Sequence, residues 1–390
     1  MGALSHIKVL DLSRILAGPW ASQLLGDLGA EVIKIEKPGA GDDTRGWGPP
    51  FLTDKEKGGA FDSAYFLSAN RNKVSVTIDI ATPEGQAEVR QLATTADVVI
   101  ENFKVGGLAA YGLDAVNLRT LNPRLIYCSI TGFGQTGPYA ARAGYDALIQ
   151  AMGGLMSITG APDGSPGAGP QKVGVALVDI LTGLYATTGI LAALAHRDRT
   201  GEGQEIDVAL LDVSVACLAN QALNYLVSGV APSRMGNAHP NIVPYQDFPT
   251  ADGAMLVAVG NDAQFARAWA VFGLEPDPRF RANAQRVEGR DEVIGMIKAR
   301  TILRPTSHWI AALEEVGVPC GPINGIAEIF KDPQIVARGM QISLDHPIAG
   351  EIPLVANPLK LSATPVTYRK APPLLGDGNS DVRRYPEKSF

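Results

Sequence analysis

The sequence predicts an α/β protein in which a Rossmann-like, mostly parallel sheet forms a large domain and a smaller α+β domain follows it. Strand-like apolar runs alternate with segments of helical spacing through the first half of the chain, and 43 glycines and 27 prolines allow tight connections between them. A chain of 390 residues, 46% hydrophobic and 19% charged, is long enough for two or three domains of ordinary globular composition.

The opening β-α-β unit has a strand at 7–12, a helix at 20–28 that ends at Gly29, and a second strand at 32–35. After this unit we predict strands at 74–80, 97–100, 125–130 and 173–178, and helices at 83–96, from 145, from 180 and at 207–227. Ligands of such sheets bind beyond the carboxyl ends of the strands. The polar side chains expected there are Asp11, Glu36, Asn102 and Asp179.

Shifts in composition suggest the domain boundaries. Residues 1–227 form the large domain, and a stretch rich in Pro, Gly and Asn opens a small α+β domain at 228–325. That domain has a strand at 254–259 and helices at 262–272, 291–303 and 307–316. The tail, 326–390, has short strands at 350–354 and 359–362 and is expected to return to the large domain.

Charge and cysteine content argue against several classes of protein. A net charge of −6 argues against non-specific binding of nucleic acid. The three widely spaced cysteines, Cys128, Cys217 and Cys320, form no disulfide framework or metal spacing, which favours a reducing, cytoplasmic location. The N-terminus lacks a secretory pattern, and no uninterrupted apolar stretch is long enough for a bilayer, so we expect no membrane association.

Asp179 is the candidate catalytic residue, because it lies where a predicted strand meets a predicted helix. There its carboxylate would face the first free N–H groups of the helix and the positive end of the helix dipole. Both effects favour the ionised form, so Asp179 is predicted to be a nucleophile at neutral pH. Its position alone also fits a plain N-cap, which aspartate commonly provides.

Other chemistries have weaker signals. The turn after the first strand lacks the G-x-G-x-x-G pattern of a nicotinamide site, although Glu36 stands where a ribose-binding acid would. The chain has no G-x-S-x-G elbow, and of five histidines without metal spacing only His239 lies in a glycine-bearing loop. Asp42 and Asp43 fit a turn cap paired with Arg45 better than a metal pair, so no metal is expected.

Six stretches together give the chain a family resemblance. They are VLDL through AGP at 9–19, GAEVIKIE at 29–36, GDDTR at 41–45, DVVIENF at 97–103, Asp179 with its flanks, and GVPCGP at 317–322. In this order they resemble the family III CoA-transferases, which include formyl-CoA transferase and carnitine CoA-transferase. The stretches PGAGDDTR, YCSITG and IVPYQ resemble the succinyl-CoA:glutarate (3-hydroxymethylglutarate) type most strongly.

The resemblance implies that Asp179 attacks an acyl-CoA thioester to form an acyl-aspartyl anhydride and CoA thiolate. An acceptor acid then replaces the donor acyl group and receives CoA. Coenzyme A thioesters are thus substrates, with no permanently bound cofactor. The implied binding residues are Arg14, Ile15, Leu16, Ala17, Lys37, Ile78, Asn102, Phe103, Tyr145 and Asp146. Two basic phosphate contacts of the formyl-type enzyme are absent, since Ala110 and Ala143 stand there.

The resemblance also implies a homodimer of interlocked chains, succinyl-CoA as the donor and a dicarboxylic acceptor. Arg71 and Arg142 are candidates to hold the acceptor's second carboxylate, although each could instead pair with a structural acid. The alternative inside the family is an α-methylacyl-CoA racemase, which needs a histidine at the position of Tyr145. Tyrosine, with a pKa of about 10, is a poor base at neutral pH. A non-catalytic CoA-binding protein is the alternative of another class.

Overall fold

The computed structural model of the chain describes residues 2–380, which fall into two compact units. The first unit consists of the chain up to Met156, Lys172–Val230 and the chain from Gln334 onward. The second consists of Ser157–Gln171 and Ala231–Pro333. Residues 157–171, which we predicted within the large domain, thus belong to the second unit, where the N–H of Gly236 donates to the carbonyl oxygen of Gly160 at 3.0 Å.

Strands and helices alternate along much of the chain. The strands are β1 (Lys8–Asp11), β2 (Glu31–Glu36), β3 (Phe51–Thr53), β4 (Ala60–Ser63), β5 (Lys73–Thr77), β6 (Val98–Glu101), β7 (Ile126–Thr131), β8 (Glu205–Ala209), β9 (Tyr245–Pro249), β10 (Ala254–Ala258), β11 (Cys320–Pro322), β12 (Gln341–His346) and β13 (Gly350–Val355). The α-helices are α1 (Ala17–Asp27), α2 (Ala64–Ser68), α3 (Pro83–Ala93), α4 (Ala115–Leu121), α5 (Asp146–Met152), α6 (Leu155–Ile158), α7 (Leu177–Thr200), α8 (Leu210–Ala216), α9 (Ala219–Ser228), α10 (Asp262–Val271), α11 (Asn283–Glu288), α12 (Arg290–Thr301), α13 (Thr306–Glu315), α14 (Ile326–Ile329) and α15 (Pro333–Ala337).

Six parallel strands form the sheet of the first unit, in the order β5-β2-β1-β6-β7-β8. Val9 of β1 lies opposite Val32 of β2 on one side and opposite Val98 of β6 on the other. The chain therefore builds the sheet in both directions from β1, and the strand order reverses between β1 and β6. A ligand crevice is expected at the carboxyl ends of these two strands. The predicted α/β class with a parallel sheet is confirmed.

Helices cover both faces of this sheet. On one face, Leu25 of α1, Ile190 of α7 and Val213 of α8 join the apolar core. On the other face, Val89 of α3 and Leu118 of α4 do the same. Burial of each such side chain contributes about 1.5–3 kcal/mol, so the sheet is a rigid support for the loops at its edge.

The structure corrects the predicted strand at 173–178. Residues 172–176 have no regular structure, and α7 begins at Leu177. The place beside β7 is taken instead by β8, with Ile206 opposite Cys128. Asp179 therefore lies in the first turn of a helix and not at a strand-helix junction.

The predicted long helix at 207–227 is also wrong, because it comprises the end of β8 followed by α8 and α9. In β8, exposed Glu205 and Asp207 alternate with less exposed Ile206 and Val208, which is the period of a strand. The predicted strand at 359–362 is absent, since β13 pairs with β12 and the chain after it is irregular.

A glycine brings α7 close to α1. A Cβ atom on Gly183 would lie 2.7 Å from the carbonyl oxygen of Ala17, so a larger side chain would force the helices apart. By length and composition α7 could cross a membrane, contrary to our prediction that no segment would. Its buried residues, among them Ala186 and Ile190, belong to the core of the first unit, as in the core helices of soluble proteins that pass the same criterion.

The second unit has its own small core. Its sheet has the antiparallel order β11-β10-β9. Phe248 and Val257 from the sheet pack with Trp269 of α10, Ile297 of α12 and Leu313 of α13.

Arg71 is a structural residue, so the prediction that it binds an acceptor carboxylate is wrong. Its buried guanidinium donates from Nε to Asp27 Oδ1 at 2.9 Å and from Nη1 to the carbonyl oxygen of Val355 at 2.9 Å. Asp27 is fully buried and also accepts from the side chains of Asn72 and Asn357. The guanidinium neutralises a carboxylate that has no access to solvent.

Arg71→Ala should lower the free energy of unfolding by about 3–5 kcal/mol, because Asp27 would remain buried without its charged partner. Arg142→Ala, at an exposed position, should change it by no more than about 0.5 kcal/mol. Urea unfolding followed by circular dichroism measures both values. Equal losses in the two variants would contradict the structural role of Arg71.

Candidate active site

A cavity of about 630 Å³ opens at the carboxyl ends of β1, β2, β6 and β7 in the first unit. All predicted site residues except Asp146 and Arg71 line it. They are Arg14, Ile15, Leu16, Ala17, Lys37, Ile78, Asn102, Phe103, Arg142, Tyr145 and Asp179. The structure thus brings together side chains from distant stretches of the sequence.

The loop between β1 and α1 forms one wall of the cavity. Asn102, just beyond β6, holds it by accepting the backbone N–H of Arg14 at 2.9 Å and donating to the carbonyl oxygen of Arg14 at 2.7 Å. Ile15 has a φ of 73°, a conformation that is strained for a β-branched residue, and its N–H donates to Asp42 at 3.2 Å. The contacts of the loop with its neighbours therefore impose a backbone shape that the loop would not adopt alone.

Buried ion pairs lie beneath this loop. Lys34 contacts Asp42 at 2.9 Å and donates to the carbonyl oxygen of Ser13 at 2.8 Å, and Lys73 contacts Asp11 at 3.2 Å. Burial alone would raise the pKa of Asp42, but the Lys34 ammonium and local hydrogen bonds lower it to about 2. The Lys34–Asp42 pair is therefore charged at neutral pH.

Arg45 has different partners from those that we predicted. It donates to Glu36 and to Asp62, each at 2.7 Å, and these carboxylates come from β2 and β4. Asp43 pairs instead with Arg14 at 2.7 Å, where both side chains are half exposed. Arg45 is buried and points inward, so it neutralises buried acids and cannot reach the exposed one.

A close backbone contact holds Tyr145 and Arg142 at the cavity. A Cβ atom on Gly132, which follows β7, would lie 2.6 Å from the Cα atom of Gly144. A larger residue at either glycine would push the segment that carries Tyr145 away from the sheet. Arg142 is exposed, and its guanidinium carbon lies 4.7 Å from the centre of the Tyr139 ring.

The half-buried carboxyl of Asp179 also lines the cavity. The N–H groups that we expected to stabilise it bind Asp146 instead, Val178 at 2.8 Å and Asp179 itself at 3.3 Å. Burial, and secondly the charge of Asp146, raise the pKa of Asp179 to about 7. The expectation that the free N–H groups of the helix favour the ionised form of Asp179 is therefore wrong, because Asp146 accepts from them.

Within residues 2–380, four exposed cationic side chains line the cavity, on Arg14, Lys37, Lys104 and Arg142, and that of Arg14 is paired with Asp43. Lys104 was not predicted as a site residue, although it follows Asn102 and Phe103 just beyond the end of β6, where ligand-binding residues are expected. Asp146 does not line the cavity, but its carboxylate accepts a hydrogen bond from the backbone N–H of Asp179.

Other candidates lie elsewhere. His239 belongs to the second unit, where its ring centre lies 5.2 Å from that of Tyr245. The three cysteines are free, with Cys128 buried and the other two half-buried. Within residues 2–380, no group of three or more His, Cys, Asp or Glu side chains is placed to hold a metal ion.

The sequence matches one family profile, described as CoA-transferase family III, over residues 4–379. The chain belongs to CoA-transferase family III. The resemblance stated above is confirmed, and the protein is an enzyme of the CoA-transferase class.

Relatives match it over nearly their whole length. A succinate–glutarate CoA-transferase of Agrobacterium fabrum is 53% identical over 382 residues, which cover 97% of this chain and 94% of the relative. A succinyl-CoA:glutarate CoA-transferase of Homo sapiens is 43% identical over 394 residues, which cover 99% and 87%. The crystal structure of a CAIB/BAIF family protein from Brucella suis, 49% identical, matches with a TM-score of 0.86 and covers 99% of this chain and 100% of that one.

The carboxyl group of Asp179 should titrate near pH 7, well above its ordinary value of about 4. Asp146→Asn should move this titration to lower pH, because the site stays buried but the repelling charge is gone. ¹³C NMR of protein labelled at aspartate Cγ measures both titrations, and Asp179→Asn identifies the signal. An unchanged titration in Asp146→Asn would contradict the effect of Asp146.

Proposed function

We propose that this enzyme transfers CoA from succinyl-CoA to a dicarboxylic acid such as glutarate, with Asp179 as the nucleophile. The observation that carries the proposal is a carboxyl group with a pKa of about 7 in the wall of a ligand-sized cavity, in a member of CoA-transferase family III. The names of the Agrobacterium fabrum and Homo sapiens relatives support this donor and this acceptor.

In the proposed reaction an Asp179 oxygen attacks the thioester carbonyl carbon, the C–S bond breaks, and CoA leaves as a thiolate. The product is a mixed anhydride between Asp179 and the donor acid. The acceptor carboxylate attacks the aspartyl carbonyl carbon of this anhydride and displaces the donor as a free carboxylate. The CoA thiolate then attacks the acceptor carbonyl carbon, and Asp179 leaves as a carboxylate.

We further propose that the CoA thioester occupies the cavity of the first unit. Leu16 and Ile78 offer an apolar wall for the adenine or the pantetheine. Lys37 and Lys104 are exposed ammonium groups suited to phosphate, and they would compensate for the missing basic contacts at Ala110 and Ala143.

We also propose that the protein is a homodimer of interlocked chains. No residue of α9 is buried within one chain, and α7 also exposes apolar side chains. The large apolar side chains exposed on these helices are Leu184, Tyr185, Leu191, Leu223, Tyr225, Leu226 and Val227. A surface of this kind is more typical of a subunit interface than of a monomer, and a second copy of the chain is the occupant that we propose.

Asp179→Asn should reduce CoA transfer by roughly 1,000-fold or more, because no other group could form the anhydride. Incubation of the wild type with succinyl-CoA and hydroxylamine should convert Asp179 to a hydroxamate, which mass spectrometry of the digested protein detects. The unfolding curve of Asp179→Asn serves as the control for folding. A variant that retains most of its activity would exclude Asp179 as the nucleophile.

Arg142→Ala should raise the KM for glutarate about tenfold or more, because a charge-assisted hydrogen bond to the far carboxylate is lost. Pentanoate, which lacks that carboxylate, should be a poor acceptor for the wild type and should be unaffected by the substitution. Lys37→Ala is the matched control: it removes a cavity cation and should raise the KM for the acyl-CoA instead. Equal efficiency with pentanoate and glutarate would refute a site that recognises the second carboxylate.

Interlocked chains cannot separate without extensive unfolding, so tagged and untagged protein mixed under native conditions should form mixed dimers only very slowly. Affinity capture over several days, with native mass spectrometry of each preparation, measures the exchange. Co-refolding of the two proteins from denaturant should produce mixed dimers and is the positive control. Rapid exchange, or a monomeric mass, would disprove the interlocked arrangement.

A further inference from the structure

Helix α7 lacks a side-chain cap of its own, and α5 supplies one. Ala176, which precedes the first turn of α7, has no side-chain oxygen to accept an N–H group. Oδ1 of Asp146, the first residue of α5, accepts instead from the N–H groups of Val178 and Asp179 at 2.8 and 3.3 Å. Asp146 thus satisfies two free N–H groups at the start of the helix that carries Asp179.

Gln150 holds Asp146 in this position. It lies one turn further along α5, and its side chain is fully buried. Its Nε2 donates to Asp146 Oδ2 at 2.7 Å, and its Oε1 accepts from the N–H of Val173 at 2.9 Å. Residues 172–176 have no regular structure, so Gln150 and Asp146 together attach both ends of this segment to α5.

The position requires an amide. The group that faces Asp146 has to donate, and the group that faces the Val173 N–H has to accept, and a glutamine side chain does both. An ionised glutamate at this position would accept from Val173 but would repel Asp146. A methionine would fill nearly the same volume and make neither hydrogen bond.

We propose that Gln150 is a positioning residue for the transfer reaction, because it fixes, through Asp146 and Val173, the backbone from which the Asp179 carboxyl reaches the cavity. The proposal rests on the role of Asp179 as nucleophile. Gln150 does not line the cavity, so its loss should lower kcat and leave the binding of the acyl-CoA nearly unchanged. Displacement of a reacting group by about 1 Å can reduce the rate about 100-fold.

Gln23 offers a matched control. Its side chain is also buried, and its amide also donates at one end and accepts at the other, to the carbonyl oxygen of Ser68 at 3.1 Å and from the N–H of Arg71 at 3.0 Å. It does not line the cavity. Gln23→Met therefore removes one donated and one accepted hydrogen bond, as Gln150→Met does, but at a position that does not contact Asp146 or the start of α7.

Steady-state kinetics with succinyl-CoA and glutarate tests the proposal. Gln150→Met should lower kcat about 10- to 100-fold and change the KM for succinyl-CoA less than about twofold, whereas Gln23→Met should keep kcat within about twofold of the wild type. A kcat in Gln150→Met equal to that of Gln23→Met would overturn the proposal.

Gln150→Glu allows a second measurement, the pH dependence of kcat, which a purely structural role would not change. If Gln150→Met does not fold, this measurement alone tests the proposal. In this variant the introduced carboxyl group, when protonated, can donate to Asp146 and still accept from Val173, but when ionised it cannot donate. The ratio of the variant's kcat to that of the wild type should therefore rise as the pH falls from about 8.5 to 6. A ratio that does not change with pH would overturn the proposal. Failure of the proposed function is distinguishable, since Asp179→Asn would then retain activity.

Discussion

The cavity depends on two buried ion pairs beneath the loop between β1 and α1, Lys34–Asp42 and Lys73–Asp11. In dinucleotide-binding folds, glycines after the first strand let the backbone approach the ligand closely. Here the loop between β1 and α1 lacks those glycines and is held by hydrogen bonds to Asn102, Asp42 and Lys34. Buried ion pairs contribute little net stability, but removal of one partner costs about 3–5 kcal/mol. The geometry of the cavity wall is thus linked to the stability of the whole sheet, and neither can change alone.

The pKa of Asp179 is set by opposing effects: the start of a helix lowers it, whereas burial and a neighbouring negative charge raise it. The start of a helix favours a carboxylate by about 0.3–1 kcal/mol, provided that free N–H groups point at it. Here Asp146 occupies those groups and adds its own negative charge, and burial acts in the same direction. A carboxyl that titrates near neutral pH is partly ionised there and is more basic than an ordinary aspartate, two properties that would suit the nucleophile proposed above.

Much of the fold was predictable, because the parallel strands are short apolar runs with buried partners on both sides. The rule that ligands bind beyond strand ends placed Asn102 correctly in the cavity wall, and the family resemblance did the same for Phe103. Lys104, two residues after Asn102, satisfies the same rule but was not considered. The strand predicted at 173–178 was wrong because an apolar run in the sequence does not show whether a neighbouring strand is available to pair with it. β8, which takes that place, was visible only as a weak alternation. The partners of charged side chains were the hardest feature to predict. Only the fold shows that Arg71 pairs with Asp27 and is therefore not free to bind a ligand.

The surroundings of Asp27 also bear on how the chain folds while it is being made. Asn357, which donates to Asp27, is 330 residues away in sequence, and the N–H of Gly378 donates at 2.9 Å to the carbonyl oxygen of Ser75 on the edge strand β5. At roughly 5–20 residues per second, a ribosome needs on the order of half a minute to complete that distance. During this interval the nascent first unit would carry an incompletely satisfied acid and an open strand edge. Translational pausing after the second unit would therefore prolong the period in which the unfinished protein is vulnerable to aggregation and to proteases.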